Sequence, residues 1–144
     1  MKPPKLWQVS LPPAEWITVL KLSTMWRCLD QRARAVRQVL ESGISPVEQI
    51  QLGRQYFVGS LVLSGFRGLI TRKEMITEEE AATIGLIDAF RLMCIRELNV
   101  FDKDAEIRKW FKEELELIGA NEMEFRRVSR TIAVMRRFFL ILSY

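Results

Sequence analysis

The sequence predicts an all-α fold, on three observations. Leu, Glu, Arg, Ala and Met dominate, all strong helix formers. The seven glycines and five prolines fall mostly at apparent joints. Apolar residues recur at steps of three and four, and no segment alternates as a strand. A chain of 144 residues with 49% apolar and 28% charged residues is long enough to bury a core and has an ordinary globular composition. About seven helices are expected, packed as stacked helical hairpins.

The pattern divides the chain into an extended lead-in over 1–12, a helical domain over 13–119 and a terminal amphipathic helix over 120–144. Trp7 and Leu11 are possible docking contacts in the lead-in. Pro12-Pro13 suits a helix start, and Trp16, Val19, Leu20, Leu22, Met25 and Trp26 form a broad apolar face after it. Asp30 is the expected cap of a second helix, with Ala33, Val36, Val39 and Leu40 inward and Gly43 at its end. Ser45-Pro46-Val47-Glu48 is a strong start signal, combining a Ser cap, Pro in the first turn and Glu three residues after the cap. That helix runs through Ile50, Leu52 and Tyr56 to a bend at Gly59-Ser60. A short apolar helix follows with Leu61, Leu63, Phe66, Leu69 and Ile70, where Gly65 and Gly68 permit close backbone approach.

Thr77-Glu78-Glu79-Glu80 is a capping box opening a helix expected to reach about Leu98, with Ile84, Ile87, Phe90, Cys94 and Leu98 on its inner face. Asp102 should cap the next, with Ile107, Trp110, Phe111, Leu115 and Ile118 inward. Gly119-Ala120-Asn121 is the expected separator before the last helix, where Glu124 would complete a cap. There Phe125, Val128, Ile132, Met135, Phe139 and Leu142 form a regular seam. Trp16, Leu20, Trp26, Tyr56 and Phe66 are the expected core anchors, since large aromatics bury roughly 150–250 Å² each.

Histidine is absent, which removes Ser-His and Cys-His dyads and imidazole metal ligands. Cys28 and Cys94 lie 66 residues apart, without metal or redox spacing, and are expected as small hydrophobes. Glu78 to Glu80 is explained by helix capping, and Gly65-Phe66-Arg67-Gly68 lacks the ending of a phosphate loop. No catalytic residue, cofactor site or metal site is therefore expected, and the chain is not expected to be an enzyme. No apolar run approaches the ~20 residues of a membrane span. The opening Met1-Lys2-Pro3-Pro4-Lys5 carries no apolar stretch after it, so an intracellular protein is expected.

Charge is uneven. Residues 1–75 hold a net +6, residues 76–119 a net −5, and residues 120–144 a net +3. Arg27, Arg32, Arg34 and Arg37 crowd one helix, and Arg126, Arg127, Arg130, Arg136 and Arg137 another. Such clusters can neutralise phosphates, so a basic nucleic-acid-binding protein is the alternative reading. No DNA- or RNA-reading signature accompanies them, and a protein-interaction module is preferred. Arg136, Arg137, Phe138, Ile141 and Tyr144 are the candidate partner surface: the last turns are apolar on more than one face, and Phe138 and Ile141 lie off the seam. The seam itself is expected in the core.

A family resemblance accompanies this pattern. Glu15-Trp16, Val19-Leu20-Lys21-Leu22, Thr24-Met25-Trp26, Arg32 and Ala35 resemble a segment of fungal BTB/POZ-domain proteins. Pro46 to Tyr56, Val58, Leu63-Ser64-Gly65-Phe66 and Leu69 continue it, as do Thr77 to Ala81, Ile84-Gly85-Leu86 and Arg96-Glu97. The resemblance covers roughly residues 12–98. It departs from the family at Leu61, where a tryptophan is common, and at Arg27-Cys28-Leu29-Asp30. It places Trp16 at the carboxyl end of a BTB core, leading into a BACK-like helical region. This sequence reads as that helical half alone. The resemblance implies a scaffold or adaptor role with protein partners or self-association, and no inherited BTB dimer surface.

Overall fold

The computed structural model describes residues 10–143, and among them every regular element is an α-helix. They form eight helices in two compact units, one ending at Gly43 and the other running from Ile44.

The first unit is a helical hairpin. α1 (Pro13–Met25) has Pro13 in its first turn, where a missing N–H costs nothing. α2 spans Leu29–Glu41. Trp16, Leu20 and Ser23 step by four and three along α1, and Arg32, Ala35 and Val39 by three and four along α2; all six are buried. The Arg34 guanidinium lies 5.5 Å from the Trp16 ring centroid, a cation–π distance.

Several expectations fail here. Asp30 sits inside the first turn of α2, and the cap position belongs to Cys28. The chain turns through Arg27 in the left-handed region (φ 56°), which sets the phase of α2 so that Ala33 faces outward. Trp26 lies at the end of α1 beside this turn and is 60% exposed. It is not a core anchor, whereas Trp16 and Leu20 are.

The second unit begins with α3 (Pro46–Tyr56), whose Ser45 Oγ accepts from the Glu48 N–H at 3.2 Å, as the start signal requires. α3 ends on Phe57 in the left-handed region, and α4 (Gly59–Thr71) follows. Glycines permit close packing of this pair. A Cβ on Gly53 would stand 2.8 Å from the Val58 carbonyl oxygen, and one on Gly65 only 2.5 Å from that of Pro46. α4 is the central helix of the unit, in contact with α3, α6, α7 and α8. Phe66 on α4 is fully buried and stacks on Phe111, with ring centroids 4.2 Å apart. Around them pack Ile50, Val62, Leu69, Leu92, Ile95 and Ile107. Tyr56 is only half-buried.

The helix expected over 77–98 is two. α5 (Glu78–Ile84) carries the anticipated capping box: Thr77 Oγ1 accepts from the Glu80 N–H, and Glu80 accepts from the Thr77 N–H. Gly85, at φ 105°, then breaks the helix in a conformation open essentially to glycine alone. α6 (Leu86–Glu97) restarts in a new phase, burying Ala89, Leu92 and Ile95. Ile87 and Phe90, expected inside, are therefore exposed.

α7 (Lys103–Trp110) begins at the Asp102 cap, which accepts from the Ala105 N–H at 3.1 Å. Buried Phe111 separates it from α8 (Lys112–Leu142). Trp110, expected inward, keeps 37% of its surface in solvent and donates from Nε1 to Glu106. The expected separator at 119–121 is continuous helix: Ala120 is a strong helix former, and Asn121 Nδ2 donates to the Leu117 carbonyl one turn back. Glu124 accordingly caps nothing and pairs with Arg127. At ~1.5 Å per residue, the 31 residues of α8 extend for about 46 Å.

Candidate partner surface

The exposed face of α6 follows from its register. With Ala89, Leu92 and Ile95 turned inward, Leu86, Phe90 and Met93 step by four and three along the outer side, and Ile87 lies beside them. Leu86, Ile87 and Phe90 each keep two-thirds or more of their surface in solvent. Together they present on the order of 300 Å² of apolar area, the size of the largest patch on many monomers. A shallow concavity of about 630 Å³ borders them, lined by Gly85, Leu86, Ile87, Asp88 and Arg91.

Charge-assisted hydrogen bonds hold this helix at both ends. Beside its first turn, Arg54 of α3 donates from Nε to Glu114 at 2.5 Å and from Nη2 to Asp88 at 2.7 Å. Its Nη1 donates to the Ile84 carbonyl at 2.6 Å, the last residue of α5. One guanidinium thus ties α3, α5, α6 and α8 together. Burial alone would lower the Arg54 pKa, but hydrogen bonding and charge from Glu114, then Asp88, outweigh it and raise the value above its ordinary one. At the other end, Lys103 Nζ donates to the carbonyls of Ile95, Arg96 and Leu98. This satisfies the free acceptors of a helix C-terminus. Arg96 anchors the preceding loop, donating to the Lys73 and Glu74 carbonyls at 2.6 and 2.7 Å. The apolar stripe is therefore mounted on a fixed helix, the condition for a specific contact.

Two further ion pairs brace the unit. Arg67 grips Asp104 in bidentate fashion at 2.8 and 2.6 Å, and Arg72 pairs with the capping residue Glu80. The hydrogen bond from Arg72 is the main cause holding the Glu80 carboxyl below its usual range; burial opposes it, and the Thr77 N–H assists. Arg67 does the same for Asp104. Carboxylates with depressed folded pKa values stabilise above their unfolded values, about 4.3 for Glu and 3.9 for Asp, and lose that contribution as pH falls through the folded value. Glu80→Gln is expected to lower the unfolding free energy by about 1 kcal/mol at pH 7. The difference from the unsubstituted chain should shrink toward pH 3. Denaturant titrations at the two pH values check this; an equal difference at both would contradict it.

Of the residues expected to form a partner surface, Arg136, Arg137, Phe138 and Ile141 all lie exposed on the last three turns of α8, and Tyr144 lies outside the described residues. The seam departs from expectation. Phe125, Val128 and Ile132 are half-buried, but every residue from 133 to 143 is exposed, including Met135, Phe139 and Leu142. The distal part of the seam is surface.

Part of each arginine cluster is already engaged within its own unit. Arg32 is buried, Arg34 lies over Trp16, and on α8 Arg126 and Arg127 pair with Glu122 and Glu124 of their own helix. Among the described residues no group of three or more Cys, Asp or Glu is placed to hold a metal ion, and no helix is long and apolar enough to cross a membrane. Cys28 and Cys94 are free thiols, both half-buried. No protein-family model, curated protein or solved structure matches the chain.

The α6 stripe is the feature that sequence reasoning missed. Its signal was present: Gly85 follows a capping box by only eight residues, and counting the helical phase afresh after it turns Leu86, Ile87 and Phe90 to the outside.

Proposed function

We propose that this chain is a non-enzymatic protein–protein interaction or scaffold module, comparable with the helical part of BTB-BACK proteins. The observation that carries the reading is the α6 stripe, where Leu86, Ile87 and Phe90 stand exposed on a helix fixed at both ends. Apolar side chains on a flexible loop can collapse inward; these are held outward by the burial of Ala89, Leu92 and Ile95 on the opposite side. Such a patch, rimmed by Asp88 and Arg91, has the anatomy of an interface with an apolar centre and polar rim. Chemistry is not part of the reading. The sequence has no histidine, and Asp88, Glu80, Asp104 and Glu114 are engaged by arginines that join helices. An adaptor of this kind would work inside the cell, where cysteines such as Cys28 and Cys94 persist as thiols.

The test is affinity capture with the intact chain and with a Leu86→Glu/Phe90→Glu variant. Because both side chains are exposed, the variant should retain the helical circular dichroism and unfolding transition of the parent. Partners held by the parent, a second copy of the chain included, should drop at least about tenfold, as for a charge placed in an apolar interface centre. Equal recovery of the same partners by both chains would remove the stripe from the account.

A further inference from the structure

The distal end of α8 has a chemistry distinct from that of the α6 stripe. From Phe125 onward the sequence holds five arginines and no acidic side chain. At about 100° per residue, Phe138, Leu142, Met135 and Phe139 cluster on one side, with Val134 and Ile141 beside them. Together they span an apolar arc of roughly 160°, with Arg127 inside it. Arg126, Arg130, Arg136 and Arg137 occupy the remaining sector, with Leu140 among them. Residues 138–142 are five consecutive apolar residues that point in every direction around the axis, and all five are exposed.

From this we propose that the end of α8 docks the module on an anionic lipid surface. Three observations select that occupant. Charge complementarity comes first: Arg130, Arg136 and Arg137, with no acidic residue within four positions of any of them, suit phosphate-bearing headgroups, each contributing about fivefold in affinity near such a surface. The same charge disfavours a second copy, whose identical basic end would repel this one. Length comes second. Five apolar residues rise by about 7.5 Å, too short to cross a bilayer but long enough for an apolar tip to reach the boundary between headgroups and acyl chains. Arg136 and Arg137, immediately before them, then fall at headgroup level with their stems along apolar surface. Third, the apolar surface is not confined to one side, because Leu140 projects among the arginines. An isotropic acyl medium accommodates that, whereas a protein groove covers one side of a helix. The contact is interfacial, since α8 is not apolar enough to span.

The experiment uses the full chain in co-sedimentation with unilamellar vesicles of phosphatidylcholine, alone or with about 30% phosphatidylserine. The chain should partition onto the anionic vesicles and bind at least about tenfold less to the zwitterionic ones. Raising salt from about 0.1 M to about 0.5 M should release it. Arg136→Glu/Arg137→Glu and Phe138→Ser/Ile141→Ser should each weaken binding by about tenfold or more. Their unfolding transitions should be unchanged, because all four side chains are exposed. Leu86→Glu/Phe90→Glu should bind vesicles normally, which separates this proposal from the reading of α6. The idea is overturned by absence of vesicle binding at low salt, or by binding that neither α8 variant alters. It is equally overturned by a concentration-dependent dimer that Phe138→Ser/Ile141→Ser abolishes while vesicles recruit nothing.

Discussion

Replacing Phe66 with alanine should lower the unfolding free energy by about 3–5 kcal/mol. The side chain is fully buried at the centre of α4, and its ring stacks on Phe111 at a centroid distance of 4.2 Å. The Arg54 guanidinium also lies 5.8 Å from it. Deleting the ring removes apolar burial, leaves a cavity, and takes away one partner of an aromatic pair worth about 0.5–1.5 kcal/mol beyond its area. The neighbours cannot collapse into the space, because Phe111 is the joint between α7 and α8 and is held by both. Guanidinium titration followed by circular dichroism measures the loss. A change below about 1 kcal/mol would contradict the placement of Phe66 in the core.

Gly65→Ala should cost about 2–4 kcal/mol, although alanine is favoured over glycine inside a helix by about 1 kcal/mol. The new methyl would stand 2.5 Å from both the Pro46 carbonyl oxygen and Ile50 Cγ1, and 3.1 Å from the Ile50 nitrogen. Side chains can rotate away, but the backbone of α3 cannot move without displacing Ile50 from the core. The control is Gly119→Ala on α8, where no atom lies within 4 Å of the added carbon. There the propensity gain is unopposed, and stability should rise by about 0.5–1 kcal/mol. Opposite signs for one chemical change would establish that α3 and α4 meet through their glycines; a gain at both positions would refute the close approach.

Local signals were legible where a side chain closes its own hydrogen bond. Ser45 with Glu48, Thr77 with Glu80, and Asp102 ahead of Ala105 each start a helix at the expected residue. What failed was phase. A helical wheel drawn through Gly85 puts Ile87 and Phe90 inside, and only the backbone turn at that glycine moves them out. Arg27 has the same effect after α1, leaving Trp26 exposed, and a non-glycine residue in the left-handed region leaves no mark in the apolar pattern. At Gly119 the error ran the other way. A glycine weakens a helix by about 1 kcal/mol, too little to end one that continues on both sides. The seam of α8 shows a further limit: regular spacing identifies an apolar face, but it does not determine whether the protein covers that face. Phe138, Ile141 and the two arginines before them were legible as surface for a different reason, because an apolar segment that faces every direction cannot be buried on all sides by one neighbour.

The most direct test of the account uses a photo-crosslinking phenylalanine analogue at position 90, with position 92 as the buried control. The side chain at 90 faces solvent and that at 92 faces the core. Irradiation of cells expressing the intact chain should give discrete adducts with a separate polypeptide from position 90, lost when Leu86 is replaced by Glu, and internal links alone from position 92. Internal links alone from position 90 would mean that the chain covers its own stripe, and the interaction surface assigned to α6 would not exist.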